Sequence, residues 1–219
     1  MNARNVIKVC ALIFVSIITL SFVYYAPSLS PFIKPILPIQ YRWTEEEIKQ
    51  QIAENRIDKS FLRYFERDPE RKIPDEKKII VAAADGVVKR IRNIEAGKRI
   101  VIYMSFWDVH IQRVPLSGKT IDVERSYHMD EADFKCEQCA QSVTRIQTEI
   151  GLITVKQVTS AFAKQINTYL RPNQTVATGE RLGFIFTGSH TVVEFPDRVN
   201  LTVKEGDRVI AGETIIARY

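Results

Sequence analysis

The sequence contains few of the residues from which metal centres and disulfide frameworks are built. Its 219 residues include three cysteines and three histidines, with no His-x-His pair. Cys136 and Cys139 form a single CxxC, and no second pair completes the four ligands of structural zinc. The composition therefore excludes a zinc finger and a zinc peptidase, and we predict no metal site. The CxxC is left as two loop thiols or a disulfide, with no assigned role.

Signatures of nucleic-acid binding are also missing. The formal net charge of +5 and the isoelectric point near 9.1 are moderately basic, but no helix-turn-helix, zinc-finger or aromatic-rich basic motif is present. The same charge suits contact with anionic lipid headgroups. With 45% hydrophobic residues, the chain is long enough for one ordinary domain and a small appendage. We therefore expect no nucleic-acid partner.

An uncharged, mostly apolar stretch, residues 9–25, lies near the N-terminus. About 17–20 apolar residues can span a bilayer, and the two tyrosines that end the stretch fit an interfacial aromatic belt. Because Arg4 and Lys8 precede it, a cleaved signal peptide is the alternative. The stretch is long for a signal peptide and lacks a small-x-small cleavage site. We predict an N-terminal transmembrane helix at residues 1–26, in the cell membrane or an inner membrane, with its orientation undecided.

Residues 27–74 are predicted to form a proline-rich linker and an amphipathic helix. Four prolines between residues 27 and 41 exclude a regular helix there. Thr-Glu-Glu-Glu at residues 44–47 matches a helix capping box, and apolar residues follow at about helical spacing. The pattern predicts a helix over residues 44–65 that breaks near Asp58.

Residues 75–219 consist mainly of short β-type runs separated by glycines. Strands are predicted over residues 78–82, 87–94, 99–104, 120–127, 143–149 and 152–158, and a helix over residues 159–170. Residues 170–180 and 203–213 form a near-repeat of a turn, a valine, a second turn ending in Gly-Glu, and a strand. The near-repeat resembles the hammerhead units of lipoyl and biotinyl carrier domains. We predict a mainly β (α+β) fold with a barrel-sandwich-hybrid-like core.

A Gly-Ser pair between the two copies of the near-repeat carries the candidate chemistry. Serine becomes a nucleophile when a base takes its proton and a third group orients that base. Ser189, His110 and Asp85 are a candidate nucleophile, base and acid. Gly188 allows backbone angles that other residues avoid, so the peptide bond before Ser189 can be held strained and exposed.

Four motifs in a fixed order resemble the short branch of the phosphatidylserine decarboxylase family. They are Arg-Asp-Pro-Glu-Arg at residues 67–71, Ala-Asp-Gly at 84–86, Asp-Val-His at 108–110 followed by Arg113 and Pro115, and Gly-Ser at 188–189. The first and third are specific, and the resemblance covers residues 61–219. It implies that residues 75–219 are a catalytic β domain.

The resemblance implies that the protein is a proenzyme that cuts itself. Ser189 would attack the Gly188 carbonyl, elimination would separate residues 1–188 from residues 189–219, and Ser189 would become a pyruvoyl group, so that no added cofactor is required. The two products would stay together as a heterodimer, and a homodimer of that unit is a further option.

The same resemblance implies the reaction and the roles of the polar residues. The pyruvoyl ketone would form a Schiff base with the amine of phosphatidylserine, a membrane phospholipid, and loss of carbon dioxide would give phosphatidylethanolamine. His110 is the implied proton donor. Asp85 is implied to orient His110 or to help remove the proton of Ser189.

Substrate binding is assigned to Arg113 and His190. Arg113 stands where other family members have a second histidine, and its guanidinium suits a carboxylate or phosphate; a surface arginine is the alternative. His190 follows the serine, where this branch usually has arginine. Thr187 and Val192 are further departures, at positions where phenylalanine and aspartate are common. The departures indicate either a divergent substrate pocket or an uncut, degenerate paralogue.

Two other functions fit parts of the sequence. Decarboxylation of another serine-headed lipid, such as archaetidylserine, fits the same motifs because the pyruvoyl group contacts only the serine headgroup. A non-catalytic, membrane-anchored adaptor fits a barrel-sandwich core, but its usual helical hairpin is not evident between residues 170 and 203. A biotin or lipoyl carrier is disfavoured because the Gly-Ser pair occupies the place of its exposed lysine.

Overall fold

The structure, a computed structural model, describes residues 3–25, 34–126, 129–131, 134–136, 139–159, 165–186 and 189–219. The chain divides into two compact units, Met1–Gln50 and Gln51–Tyr219.

The first unit begins with helix α1 (Ala3–Tyr25). No helix in the described part of the chain is both long and apolar enough to cross a membrane, so the predicted transmembrane helix is not supported. The uncharged stretch begins only after Lys8 and includes two serines and a threonine. Two 3-10 helices, Lys34–Ile36 and Ile39–Tyr41, follow α1.

The helix predicted after the capping box forms as two helices, α2 (Glu45–Ala53) and α3 (Lys59–Phe65). The capping box is confirmed, because the backbone N–H groups of Thr44 and Glu47 each donate to the other residue's side chain, at 2.8 and 3.2 Å. The break falls where it was predicted. Asp58 is the N-cap of α3, and its carboxylate accepts two backbone N–H groups of the first turn that would otherwise lack a partner.

The second unit is mainly β, as predicted. Its strands are β1 (Ile79–Val81), β2 (Gly86–Ile94), β3 (Gly97–Met104), β4 (Ile111–Arg113), β5 (Gly118–Ser126), β6 (Met129–Glu131), β7 (Phe134–Cys136), β8 (Gln141–Thr148), β9 (Gly151–Val158), β10 (Ile166–Thr168), β11 (Thr175–Val176), β12 (Arg181–Ile185), β13 (Ser189–Phe195), β14 (Asn200–Leu201), β15 (Arg208–Val209) and β16 (Ile215–Arg218). All six predicted strands are present, with bounds close to those predicted.

The helix predicted over residues 159–170 is wrong where the structure describes that segment. β10 is a strand antiparallel to β12, with Ile166 opposite Ile185 and Thr168 opposite Gly183. Residues 160–164 lie outside the described residues. The apolar spacing that suggested a helix is short, and β-branched residues such as Ile and Thr favour a strand when a partner strand is available.

The strands form an eight-stranded sheet and two three-stranded sheets, beside the β6–β7 pair. The large sheet has the order β11-β5-β8-β9-β13-β3-β2-β15, and the small sheets have the orders β10-β12-β4 and β14-β16-β1. These orders repeat: β4, β5, β11 and β12 occupy the same relative places as β1, β2, β15 and β16. The near-repeat in the sequence is therefore part of an internal two-fold repeat of the domain.

Hydrogen bonds repeat together with the strands. The backbone N–H of Gly179 donates to Val114 O at 2.8 Å, and that of Gly212 donates to Ala82 O at 2.9 Å. Both glycines have positive φ angles, +79° and +76°, which glycine adopts without steric cost. The equivalent turns of the two copies are thus built in the same way.

β13 lies between β3 and β9, in the middle of the large sheet. Val193 and Phe195 of this strand are fully buried, as are Ile100 and Ile102 of the neighbouring β3. Burial of each such side chain contributes roughly 1.5–3 kcal/mol. The strand that begins at Ser189 is consequently held in one register by the apolar core.

Candidate active site

His110 is fully buried immediately before β4. Its Nδ1 is 3.0 Å from the carbonyl oxygen of Asp108, and its own carbonyl accepts the backbone N–H of Ile185 at 3.2 Å. Ile185 ends β12, four residues before Ser189. Among the described residues, the Nε2 atom of His110 has no hydrogen-bond partner. The structure therefore places a buried ring nitrogen with free capacity beside the segment that leads to Ser189.

Aromatic side chains enclose His110. The ring of Phe65, from α3, stacks on the imidazole with centroids 4.0 Å apart. Phe184 and Phe186 make edge contacts with the Phe65 ring, with centroids 5.8 and 5.3 Å from it. Burial lowers the pKa of His110 from 6.5 to about 4, against the raising effects of Asp108, because a low-dielectric setting disfavours the imidazolium ion. His110 is thus neutral at pH 7, and donation from Nδ1–H to Asp108 O leaves Nε2 as a proton acceptor.

Asp108 holds the turn that presents His110. Its Oδ2 accepts both the backbone N–H and the hydroxyl of Ser105, each at 2.8 Å, and its Oδ1 accepts Nη2 of Arg208. Asp108 is buried, and a buried carboxylate requires such partners. The signal in the sequence for this role is the place of Asp108 in the Asp-Val-His motif.

The described partners of Asp85 are Arg71 and the backbone of Ala211. It forms an ion pair with Arg71 at 3.0 Å, and its Oδ1 accepts the backbone N–H of Ala211 at 2.8 Å. Burial raises its pKa, while the Ala211 and Arg71 contacts oppose that change. The atom that orients the His110 ring is the carbonyl oxygen of Asp108 rather than a carboxylate oxygen of Asp85. The participation of Asp85 in chemistry stays a prediction.

Arg113 is a buried arginine, so the surface alternative is wrong. Its Nη2 pairs with Asp68 and its Nη1 donates to Gly179 O at 3.1 Å. Asp68 also pairs with Arg181. The described contacts use both terminal nitrogens of Arg113, and its role in binding a substrate anion stays a prediction.

Residues 67–71 contact the turn of His110, Arg113 and Asp85. Arg67 Nη2 donates to the carbonyl of Trp107, beside the turn of His110. Asp68 pairs with Arg113, and Arg71 pairs with Asp85. The sequence indicated that this motif was characteristic, but only the structure shows that it holds three separate polar positions.

Ser189 is the first residue of β13, opposite Met104 of β3. Its side chain, like Gly188 and Thr187, lies outside the described residues. His190 is opposite Tyr103 and Val158, and the His190 and Tyr103 ring centroids are 5.3 Å apart. Burial and, to a lesser degree, Lys89 lower the pKa of His190 to about 4. No described contact tests the assignment of His190 to substrate binding.

The remaining sequence assignments concern Val192 and the cysteines. Val192 is fully buried in β13, and an aspartate there would require partners. Cys139 is disulfide-bonded and Cys10 is a free thiol, whereas the side chain of Cys136 lies outside the described residues. No group of three or more potential ligands among the described His, Cys, Asp and Glu side chains could hold a metal ion.

One family profile and three known relatives match most of this chain. A family profile described as phosphatidylserine decarboxylase matches residues 59–217. A phosphatidylserine decarboxylase proenzyme of Chlorobium chlorochromatii is 38% identical over 171 residues, which cover 73% of this chain and 79% of the relative. The corresponding proenzyme of Chlorobaculum tepidum is 35% identical over 171 residues, 72% of this chain and 77% of the relative. A candidate archaetidylserine decarboxylase proenzyme of Methanosarcina mazei is 35% identical over 155 residues, 70% and 73%.

Proposed function

Because this chain belongs to the phosphatidylserine decarboxylase family, we propose that it converts phosphatidylserine into phosphatidylethanolamine and carbon dioxide after cutting itself between Gly188 and Ser189. The names of the relatives support an enzyme, made as a proenzyme, over a non-catalytic adaptor. The duplicated turns support the barrel-sandwich-hybrid-like core that was predicted for it.

The observation that carries the proposal is the neutral, buried His110 with an available Nε2 next to the segment that leads to Ser189. In the first step Ser189 Oγ forms a bond to the Gly188 carbonyl carbon, and its proton passes to His110 Nε2. The C–N bond then breaks, and the proton moves to the released nitrogen, so an ester replaces the amide. A neutral imidazole suits this step because an imidazolium could not accept the proton.

Maturation ends with elimination and hydrolysis. Loss of the Cα proton of residue 189 and departure of the Gly188 carboxylate leave dehydroalanine, and water then converts it into a ketone with release of ammonia. The buried site, with a free histidine nitrogen next to this segment, fits a pyruvoyl group at position 189. When formed, that group supplies a ketone conjugated with an amide, which accepts the electron pair left by carbon dioxide.

The other assigned residues act on the substrate or through neighbours. Once protonated, His110 can return a proton to the carbon that loses carbon dioxide. Asp85 supports the site through Arg71 and through the turn at Ala211. Arg113 and His190 are the proposed contacts for the phosphate or carboxylate of the substrate.

We also propose that the protein works at a membrane surface, in the cell membrane or an inner membrane. The acyl chains of phosphatidylserine stay in the bilayer, so the active site has to operate at headgroup level. Leu12, Phe14 and Val15 of α1 are 59–68% exposed, and burying such side chains in lipid is favourable.

Archaetidylserine is the second candidate substrate. The Methanosarcina mazei relative carries that name and has nearly the same identity to this chain as the phosphatidylserine-named relatives. The two lipids share the serine headgroup and differ in their hydrocarbon backbone. The chemistry proposed for Ser189 and His110 is the same for both.

Intact mass spectrometry of the purified protein tests the self-cleavage. We expect two products, residues 1–188 and residues 189–219, with the smaller one blocked at its N-terminus, and an uncut chain of 25.2 kDa for Ser189→Ala. Ser117→Ala is the matched control, because Ser117 is exposed, and it should be cut normally. A wild-type chain that stays whole in the presence of membranes would refute the proposal.

Assay of the matured protein on mixed micelles identifies the lipid. Release of carbon dioxide from phosphatidylserine and not from archaetidylserine supports the first substrate, and the reverse supports the second. Release from neither lipid by a fully cleaved protein would contradict both.

A further inference from the structure

Four polar side chains, three of them fully buried, form a row of hydrogen bonds between neighbouring strands. Ser142 Oγ is 2.8 Å from Thr168 Oγ1, Thr168 Oγ1 donates to Gln157 Oε1 at 3.0 Å, and Gln157 Nε2 donates to Gln112 Oε1 at 2.7 Å. Ser142, Gln157 and Gln112 are 0% exposed. Buried amides are costly unless they are hydrogen-bonded, so each link specifies the orientation of the next.

The direction of these hydrogen bonds determines which group of Gln112 is left for another partner. The hydroxyl of Thr168 occupies Gln157 Oε1, so Gln157 presents its NH2 group to Gln112. Gln112 accepts that bond through Oε1 and must turn its own NH2 group away. The only hydrogen-bond contact of this group in the described part of the chain is Met104 Sδ, at 3.6 Å, and a thioether is a weak acceptor. A fully buried amide therefore keeps an N–H donor with little to bind.

The residues that contact this amide pair with the first residues of β13. Met104 is the residue opposite Ser189 in the β3–β13 register, and Gln157 is opposite Thr191, two residues further along β13. Gln112 is also two residues beyond His110 on the same strand segment. The strand registers thus place the Gln112 amide near the strand position at which the proposed cleavage occurs.

The lack of a side chain at Gly183 leaves room for the Gln157 amide. A Cβ atom at that position would lie 2.7 Å from Gln157 Nε2 and 2.6 Å from the carbonyl oxygen of Asn167. Gly183 is opposite Gln112 in the β12–β4 pair. A larger residue would push the Gln157 amide out of the position in which it orients Gln112.

We propose that Gln112 is a hydrogen-bond donor for the maturation step and that Gln157 is its positioning residue. As Ser189 Oγ bonds to the carbonyl carbon that precedes it, an electron pair moves onto the carbonyl oxygen, and Gln112 Nε2–H donates to that oxygen. The charge passes back when the C–N bond breaks. This inference rests on the proposed self-cleavage, and a preoriented neutral donor in a dry site is the usual way to stabilise such a charge.

The test compares rates of self-cleavage in variants of the full chain. Gln112→Met keeps an unbranched side chain of similar size and removes the donor, so the rate at which the precursor disappears on denaturing gels should fall about 10²-fold. The rate of self-cleavage of Gln157→Leu should fall less, because Gln112 keeps its donor and loses only its orientation. Gln147→Leu, at an exposed glutamine on β8, is the matched control and should be cleaved at the wild-type rate.

Hydroxylamine distinguishes a chemical role from a structural one. It attacks esters and not amides, so it cuts any precursor that has completed the first step. We expect it to cut the wild-type precursor and not Gln112→Met, while the unfolding temperatures of the Ser189→Ala forms with and without the Gln112 change stay similar. If Gln112→Met does not fold, Gln112→Leu replaces it, with the same expected loss because an aliphatic side chain offers no donor.

The outcomes separate the two proposals. A wild-type chain that never cuts would refute the self-cleavage itself. A wild-type chain that cuts, together with a folded Gln112 variant that cuts equally fast or still yields the hydroxylamine product at the normal rate, would overturn the role of Gln112 alone.

Discussion

At the level of single residues, the protonation state of His110 determines which chemistry is available first. The stacked Phe65 ring and complete burial keep the imidazole neutral, and the Asp108 carbonyl selects the tautomer with a free Nε2. The uncut protein therefore holds a base, which maturation requires. The proton donor predicted from the sequence can exist only after His110 has received a proton during the reaction.

The low pKa of His110 predicts a loss of stability in acid. In the folded state His110 titrates at about 4, below its ordinary 6.5, so the unfolded chain binds more protons between these values and stability falls as the pH drops through this window. The comparison uses a Ser189→Ala background. Between pH 7 and pH 4.5, the free energy of unfolding of the His110→Gln variant should fall by roughly 2–3 kcal/mol less than that of its parent. Urea unfolding followed by tryptophan fluorescence at both pH values measures this. Equal losses in the two proteins would show that His110 is not buried as described.

At the level of elements, the two copies of the near-repeat form the same turn with different residues. Asn173 and Gly206 occupy equivalent positions before β11 and β15, with φ angles of 65° and 92°. Asparagine tolerates this left-handed region better than most residues. By contrast, a Cβ at Gly179 would lie 2.2 Å from Ile73 Cδ1, so that turn requires glycine for its packing as well as for its backbone.

This comparison predicts opposite results for two glycine substitutions. Gly206→Asn should change the free energy of unfolding by less than about 1 kcal/mol, because the repeat already uses asparagine there and nothing lies within 4 Å of a new Cβ. Gly179→Ala should cost about 1–2 kcal/mol through its unfavourable φ and the shift that a Cβ would force on the Ile73 side chain. Chemical denaturation of both variants is the measurement. Similar costs at the two sites would contradict the packing described around Ile73.

At the level of the whole molecule, the proposed cut would not divide the fold into two separable parts. Residues after the cut supply β13, which lies between β3 and β9, and β16, which lies between β1 and β14. Strands in these central positions are bonded on both edges and buried in the core. The two products therefore share the eight-stranded sheet and the small sheet β14-β16-β1.

We accordingly expect the cleaved products to stay together. They should co-elute in gel filtration under native conditions, and the smaller product, residues 189–219, should separate only in denaturant. Mass analysis of the native peak before and after 8 M urea gives the result. Loss of the small product from the native peak would contradict the central placement of β13.

Much of the local structure could be predicted because short-range physics determines it. The capping box and the Asp58 break depend on backbone groups a few residues apart, and the six strands follow alternating or β-branched runs between glycines. The motifs at residues 67–71 and 108–110 likewise identified the family that the comparisons show. These signals require no knowledge of what packs against them.

The remaining features depend on residues that are distant in the sequence, and only the tertiary structure decided them. Residues 166–168 become a strand because β12 is beside them, and Arg113 is buried because Asp68 reaches it. The orientation of Gln112 depends on Gln157, which is brought to it by the folding of another sheet. The sequence by itself determined the elements, the repeat and the family. The partners of each buried polar group were decided by packing, since desolvation forces such groups to bond with whatever the fold brings near.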